Sequence, residues 1–421
     1  MTSITYKKLL NALKEIIKGT KWEGHVFSVG GCERDLILGR DIKDVDLVVD
    51  LINGGIRFAK WLEENGLTKG TVVVYENFGT AMFHLKDFPE IELEVVQTRK
   101  EAYRDPLSRN PDTSFGTIEE DAHRRDFTCN AIYYNISKEK REAFNENSFD
   151  DINNKIIRSC GPAEIIFNED PLRVLRAIRF STTLDFKIED KTLLGMHSCA
   201  RRLIIISNER KQEELNKILT SEKAPYGMGL IFLLGVDKYL FPCNILDDKD
   251  CPKKIVDSLG DVKILVNDLD VKLAVLYSHF TDVSKKMKYL HYSNERIATV
   301  TKLIRLSDLI TSVYIQELSP KNLRKIQYEC GDVDTFVKVC EVYSGVTGHF
   351  PQEVAFRTHG MVANDTSMFN YKLPIDGNFI MKVKNIGPSK EVKKYLDFCY
   401  EMALINPSLT EEDFEKLLKY N

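Results

Sequence analysis

The stretch that most limits what this 421-residue chain can become is Val26–Asp50, VFSVGGCERDLILGRDIKDVDLVVD. It begins with the β-formers Val26, Phe27 and Val29, and Gly30-Gly31 then breaks the run. A helix-like turn carrying Arg34 and Asp35 follows. The chain returns as a second apolar strand that opens Asp44-Val45-Asp46. Side chains alternate faces along a strand, so Asp44 and Asp46 share one face. Two carboxylates held that way suit a hard cation such as Mg²⁺. The glycine pair lets backbone N–H groups come close to a phosphate, and Arg34 is near enough in sequence to add a permanent positive charge. Alone, a Gly-Gly pair is a turn and an Asp-x-Asp is a strand edge or a cap. Together, at this spacing, they point to nucleotidyl transfer from a nucleoside triphosphate.

The segments around this stretch describe a small mixed α/β unit. The N-terminal YKKLLNALKEIIKG places Leu9, Leu10, Leu13, Ile16 and Ile17 at helical spacing and lacks arginine, so it reads as a first helix rather than a targeting peptide. Val72–Tyr75, Thr80–Leu85 and Ile91–Gln97 read as strands joined by short turns, unlike a long doubly wound sheet. Glu92 and Glu94 share a strand face, and Glu94 either reaches the metal region or pairs with a nearby arginine. Arg99–Thr117, polar and broken by Pro106 and Pro111, reads as a mobile loop. Thr117 and Glu120 then have capping-box spacing, opening a helix that Arg124, Arg125 and Asp126 close. Phe127, Ile132, Tyr133 and Tyr134 supply apolar anchors. Adjacent arginines are ordinarily surface residues, but with Asp126, Thr128 and Asn130 they make a dense polar cluster of the kind that lines a pocket.

Past about residue 160 the pattern turns almost wholly helical, without a repeat of fixed period. Residues 169–180, EDPLRVLRAIRF, put Asp170 at an N-cap and Pro171 at the first helical position. Arg173, Arg176 and Arg179 recur on one broad face beside an apolar face of Leu172, Leu175 and Ile178. By itself this is a capped amphipathic helix with a solvated basic side. It also has the chemistry to read a base. Cytosine and adenine each present an amino group next to a ring acceptor, whereas uracil and guanine present a carbonyl next to a ring N–H. Asp170 accepting from the amino group and Arg173 donating to the ring nitrogen would take the first pair and reject the second. Arg176 and Arg179 would meet phosphates.

Composition narrows the alternatives. Nine scattered cysteines without a CxxC pair fit reduced thiols in a cytosolic compartment, and eight dispersed histidines form no transition-metal motif. A formal net charge of −4 argues against a uniformly basic nucleic-acid binder but leaves room for a local basic groove. No apolar run is long enough to span a membrane.

Taken together, these residues resemble the class II tRNA nucleotidyltransferases, the CCA-adding enzymes, in a family that also holds bacterial-type poly(A) polymerases. Gly30-Gly31-x-x-Arg34-Asp35 with Asp44-x-Asp46 looks like the family's metal motif, and Arg124-Arg125-Asp126-Phe127-Thr128-x-Asn130-Ala131 like its ribose and triphosphate motif. Glu169-Asp170-x-x-Arg173 looks like its amino-acid template for CTP or ATP. Ser207-x-Glu209-Arg210-x-x-x-Glu214-Leu215-x-Lys217 resembles the helix that buttresses that template. Weaker likeness in Ser293-Asn294-Glu295, Leu373-Pro374-Ile375-x-Gly377 and Gly387-Pro388 carries the match to the end of the chain.

The resemblance implies an α+β fold, with a mixed-sheet nucleotidyltransferase head (1–160) followed by an all-helical neck (161–220), body (221–330) and tail (331–421). It implies two Mg²⁺ ions on Asp44 and Asp46, and CTP and ATP as substrates held by Gly30, Gly31, Arg34, Arg124, Arg125, Asp126, Asn130, Asp170, Arg173, Arg176 and Arg179. The tRNA 3′ end is the implied partner, gripped through the acceptor stem and TΨC arm, with no DNA and no membrane, in the cytoplasm. Asn145–Ile152 lacks the glycines of the family's hinge stretch, and Asp151 alone lines up. The 99–116 loop keeps full length with Arg99, Tyr103 and Arg109, which favours complete CCA addition over partial CC or A addition. Asn77-Phe78-Gly79-Thr80 replaces the basic stretch usual in poly(A) polymerases. From another class, a catalytically silent RNA-binding protein would have no need of an Asp pair.

Overall fold

In the computed structural model of the chain, residues 1–76, 79–102, 112–241, 250–262, 265–316, 319–348 and 366–420 are described. They divide into two compact units. The first comprises Met1–Ile218 with Leu230–Leu240, the second Leu219–Gly229 with Phe241–Asn421.

The first unit is built on seven strands in the order β3-β4-β5-β2-β1-β8-β9: β1 Val26–Val29, β2 Val45–Val49, β3 Val73–Tyr75, β4 Thr80–Leu85, β5 Phe88–Gln97, β8 Ile132–Asn135 and β9 Lys140–Ala143. Of these pairings only β2 with β5 is parallel. Val26, Val45, Leu47 and Val49 point into one core with Leu9, Leu10 and Leu13 of α1 (Ser3–Ile17) and Phe58, Ala59 and Leu62 of α3 (Gly54–Glu64). Trp22 lies fully buried in that core, edge-on to Phe58 at 5.2 Å. Alternation sends Phe27, Val29 and Val48 to the opposite face, where they pack with Tyr133 and with Ala122 of α4 (Ile118–His123). That second face carries the site. The mixed sheet over helices expected from the sequence is thus present.

Two local readings change. Arg99–Thr117 is not loop throughout: β6 (Arg99–Ala102) pairs antiparallel with β7 (Asp112–Phe115), so backbone hydrogen bonding outweighs the polar composition at its two ends. Tyr103 and Arg109 lie outside the described residues, as do Asn77 and Phe78. The capping box at Thr117 and Glu120 is formed on both sides. Its helix ends at His123, however, and the chain passes through a short 3-10 turn at Thr128–Asn130 into β8.

Helices complete the first unit: α5 (Ser148–Asn153), α6 (Ala163–Glu169), α7 (Leu172–Leu184), α8 (Asp190–Cys199) and α9 (Asn208–Leu219), the last ending at the boundary with the second unit. The second unit is helical. Its longest helix runs Asn294–Gln316, and a terminal group of Gly377–Lys384, Lys390–Ile405 and Glu411–Tyr420 closes on its own core of Ile380, Cys399, Ala403, Phe414 and Leu418.

Close approach of α3 to the sheet requires glycine at position 55, where a Cβ would lie 2.7 Å from the Val96 carbonyl carbon. Gly55→Ala is therefore expected to cost about 2 kcal/mol, as overpacking against fixed backbone does. Gly229, inside a helix and with nothing within 4 Å of its virtual Cβ, should instead gain up to about 1 kcal/mol as alanine. Denaturant unfolding of both variants beside the wild type checks the pair.

Candidate active site

The strand register gathers the acidic groups. Asp46 lies opposite Val29 on β1 and opposite Glu94 on β5, and Asp44 stands just before β2. Burial pushes the Asp46 carboxyl above its ordinary value, and Asp44 adds to the shift while Arg125 works against it. Glu94 is also raised, by desolvation and then by Asp46. Arg99 works against that shift, and Glu94 makes no ion pair among the described residues. Carboxylates crowded until they resist ionising are what a hard, oxygen-seeking cation relieves. Among the described residues no group of three or more His, Cys, Asp or Glu is arranged to hold a metal. The Asp44 and Asp46 carboxylates are all-oxygen donors, the kind a hard cation such as Mg²⁺ takes.

Gly30 caps α2 (Gly31–Ile37) with φ +86°, a conformation that favours glycine. A Cβ there would stand 3.5 Å from Asp46 Oδ2 and 3.6 Å from Arg125 Nη1, so the turn, the metal-side carboxylate and one arginine meet at a point. Arg34 donates from Nη1 to Asn130 Oδ1 at 2.7 Å and from Nε to Asp35 Oδ1 at 2.9 Å. Its guanidinium lies over the Phe180 ring at 5.2 Å, a ring that Arg176 and Arg179 also approach.

Two carboxylates, Asp121 fully buried and Asp126 largely so, organise the remaining arginines. Asp121 accepts from Arg124 Nη2 at 2.5 Å, from Arg125 Nη2 at 3.2 Å and from the Tyr133 hydroxyl at 2.7 Å. Asp126 accepts from Arg176 Nη2 at 2.7 Å, from Asn130 Nδ2 at 3.1 Å and from the Phe127 N–H. Burial alone would raise both carboxyls. The Arg125 and Arg124 guanidiniums, with the Tyr133 hydroxyl, instead bring Asp121 down to about 2, and Arg176 does the same for Asp126. Asp121 escaped the sequence reading, although its i,i+3 and i,i+4 spacing to Arg124 and Arg125 is legible once the helix is placed.

Asp170 and Arg173, the pair expected to read a base, are engaged differently from the expected cap. Asp170 is the C-cap of α6 rather than the N-cap of α7, whose preceding residue is Pro171. Its Oδ1 still accepts from the Leu172 N–H, and Oδ2 accepts from Arg210 Nη2 at 3.1 Å. Arg173 is buried, donating from Nη1 to the Ile166 carbonyl and to Glu169, and from Nη2 to the Arg124 carbonyl at 2.7 Å. Arg176 and Arg179 are partly buried, and each is paired with a carboxylate rather than standing free in solvent. Arg176 is held by Asp126, and Arg179 Nε donates to Glu214 Oε2 at 2.5 Å. The structure thus brings Asp44, Asp46, Gly30, Gly31, Arg34, Arg124, Arg125, Asp126, Asn130, Asp170, Arg173, Arg176 and Arg179 into one unit.

Because the Asp121 and Asp126 carboxyls titrate lower in the fold than in an unfolded chain, each contributes stability that is complete above about pH 4 and lost as pH falls toward 2, worth about 2 kcal/mol by linkage. Asp126→Asn should therefore be less stable than wild type at pH 7, with the gap closing below pH 4. Asp46→Asn should go the other way, raising the melting temperature without divalent cations, since the fold raises that carboxyl. Thermal melts across pH in a chelating buffer test both signs.

Comparison with known proteins bears on this arrangement. The family described as Poly A polymerase head domain matches residues 26–158, and one described as a probable RNA and SrmB-binding site of polymerase A matches 185–244. A CCA-adding enzyme of Lactococcus lactis is 31% identical over 390 residues, covering 92% of this chain and 90% of its own. A mitochondrial CCA tRNA nucleotidyltransferase of Candida glabrata is 33% identical over 227 residues, which span 50% of this chain but only 42% of that one. The crystal structure of the Bacillus stearothermophilus CCA-adding enzyme in complex with CTP superposes with a TM-score of 0.75 over 99% of this chain and 97% of that one, at 20% identity, a likeness of fold. The chain belongs to the CCA-adding enzymes, in the family of tRNA nucleotidyltransferases whose head domain is shared with poly(A) polymerases.

Proposed function

We propose that this enzyme adds C, C and A to the 3′ end of tRNA from CTP and ATP, releasing pyrophosphate and using no nucleic-acid template. The observation that carries this reading is the convergence of Asp46, Gly30 and Arg125 at one point of the same unit that holds Asp170 and Arg173. Among its structural neighbours are CCA-adding enzymes solved with CTP, with ATP and with tRNA.

Asp44 and Asp46 are the groups to hold two Mg²⁺ ions, which when bound would acidify the tRNA 3′-hydroxyl and offset triphosphate charge during an in-line displacement. The Gly30–Gly31 turn and Arg34 would take the triphosphate. Of the two adjacent arginines, Arg125 is the one for the nucleotide, because its Nη1 faces Gly30 and makes no hydrogen bond among the described residues. Arg124 serves through its carbonyl, which anchors Arg173. Asn130 and Asp126 would face the sugar, with Arg176 and Arg179 near the phosphates.

Base reading does not require the resting contacts to break. Each Asp170 oxygen can accept a second bond, and Arg173 keeps its Nε–H and one Nη2–H. The full 99–116 segment supports complete rather than partial addition. Head, neck, body and tail would follow the boundaries 1–160, 161–220, 221–330 and 331–421. The helical half would grip the acceptor stem and TΨC arm through the backbone, in the cytoplasm. Among the described residues no helix is long and apolar enough to cross a membrane.

The matched head-domain family favours one rival, a poly(A) polymerase. Primer extension separates them, using tRNA transcripts that end before CCA, after C and after CC, each offered CTP, ATP, both, or UTP and GTP. Growth to CCA that then stops, and is lost in Asp44→Ala, is the expected result. A lengthening A tail would mark the polymerase, and extension of one primer class alone a partial enzyme. Binding of tRNA should also fall steeply with salt, as phosphate contacts dictate.

A further inference from the structure

Asp121 takes no direct part in the reaction proposed above, yet it is fully buried against the site. Its Oδ1 accepts from the Arg99 N–H and from Arg124 Nε and Nη2. Its Oδ2 accepts from Arg125 Nη2 and the Tyr133 hydroxyl. Tyr133 is equally placed. Its hydroxyl donates to Asp121 and accepts from Arg125 Nε at 2.8 Å, while its ring lies 5.1 Å from the same guanidinium. The ring itself cannot drift, since Tyr133 pairs with Val29 on the central strand β1 and packs edge-on against Phe27 and Phe144.

A guanidinium is planar and rigid, so fixing two of its nitrogens fixes the third. For Arg125, Nε is held by Tyr133 and Nη2 by Asp121, which leaves Nη1 beside Gly30 and Asp46. We propose that Asp121 and Tyr133 are positioning residues that aim Arg125 Nη1 at the triphosphate, acting on both nucleotides through the phosphates and not through the base. The inference rests on the nucleotidyl-transfer reading. A merely structural carboxylate, there to offset two buried guanidiniums, would leave the kinetics of the folded enzyme alone.

Three consequences separate the two roles. Tyr133→Phe removes one hydroxyl and no charge, and should lower kcat/KM for CTP and for ATP by the same factor of about fivefold to tenfold, the worth of one ordinary side-chain hydrogen bond. Rejection of UTP should stay unchanged, because Asp170 and Arg173 are untouched. The loss should shrink to less than about twofold on top of Arg125→Lys, which lacks the fork, but persist in full on top of Arg124→Lys.

The experiment is steady-state addition of CTP to a tRNA ending before CCA and of ATP to one ending after CC, with all variants first checked by thermal melting. Asp121→Asn is a harsher companion that can fail to fold, and Tyr133→Phe keeps the test independent of it. Unequal losses for CTP and ATP, kcat/KM within twofold of wild type in Tyr133→Phe, or full additivity with Arg125→Lys would each overturn the proposal. A wild-type enzyme that adds no CCA would instead overturn the reading beneath it.

Discussion

Seven arginines crowd the site, wholly or partly withdrawn from water, and each is met there by a carboxylate. Asp121 holds Arg124 and Arg125, Asp126 holds Arg176, Glu214 holds Arg179, Asp35 holds Arg34, and Glu169 and Asp170 hold Arg173 and Arg210. Removing charges from water costs several kcal/mol per ion, so an ion pair like Asp126–Arg176 is poor evidence of net stabilisation. What such pairs supply is geometry. Each acceptor fixes one or two nitrogens of a guanidinium and leaves the others directed, so the donors are oriented before any nucleotide arrives. Pre-set donors need no reorganisation when phosphate charge appears, which is where electrostatic catalysis gains most.

The acidic side of the site is arranged by the opposite rule. Asp46 and Glu94 are brought together by the parallel β2–β5 register, and for them burial outweighs the pull of Arg125 and Arg176 on Asp46 and of Arg99 on Glu94. Their carboxyls are raised where those of Asp121 and Asp126 are lowered. The protein therefore keeps strain at one end of the site and relieves it at the other, as expected where binding rather than folding is to supply the missing charge. A chain of net charge −4 can engage a polyanion on these terms, since the cations are local and the surplus of acids lies elsewhere.

Period-2 and glycine signals made much of this visible in the sequence. The strand–glycine–helix–strand order of Val26–Val49 was legible because Asp44-x-Asp46 alternates with Val45 and Leu47, and because Gly30 adopts a φ that other residues avoid. The capping box at Thr117 was legible from two residues. What could not be read was partner choice. Nothing local tells that Arg176 reaches Asp126, fifty positions earlier in the chain, or that Asp170 turns to Arg210. A basic helical face looks solvated until the carboxylates opposite it are known. The hairpin ends at Arg99–Ala102 and Asp112–Phe115 were hidden for a related reason, since antiparallel pairing rewards backbone groups whatever the side chains.

Reading a base without a template demands that one fixed distance be kept between the metal-side carboxylates and the base-reading pair. Two contacts set it here. The Arg124 carbonyl receives Arg173, and the Asp126 carboxylate receives Arg176, so neighbouring residues of one short turn grip neighbouring turns of α7. That same turn continues into the 3-10 segment, where Asn130 fixes Arg34 and Thr128 donates to Asp151. The groups proposed for triphosphate, sugar and base are thereby tied to a single stretch of backbone, residues 124–130. On those proposed roles, a nucleotide with its phosphates at Gly30 and Arg125 would offer its base edge to Asp170 and Arg173. Selection would then rest on two hydrogen bonds made by donors and acceptors whose positions the fold already holds.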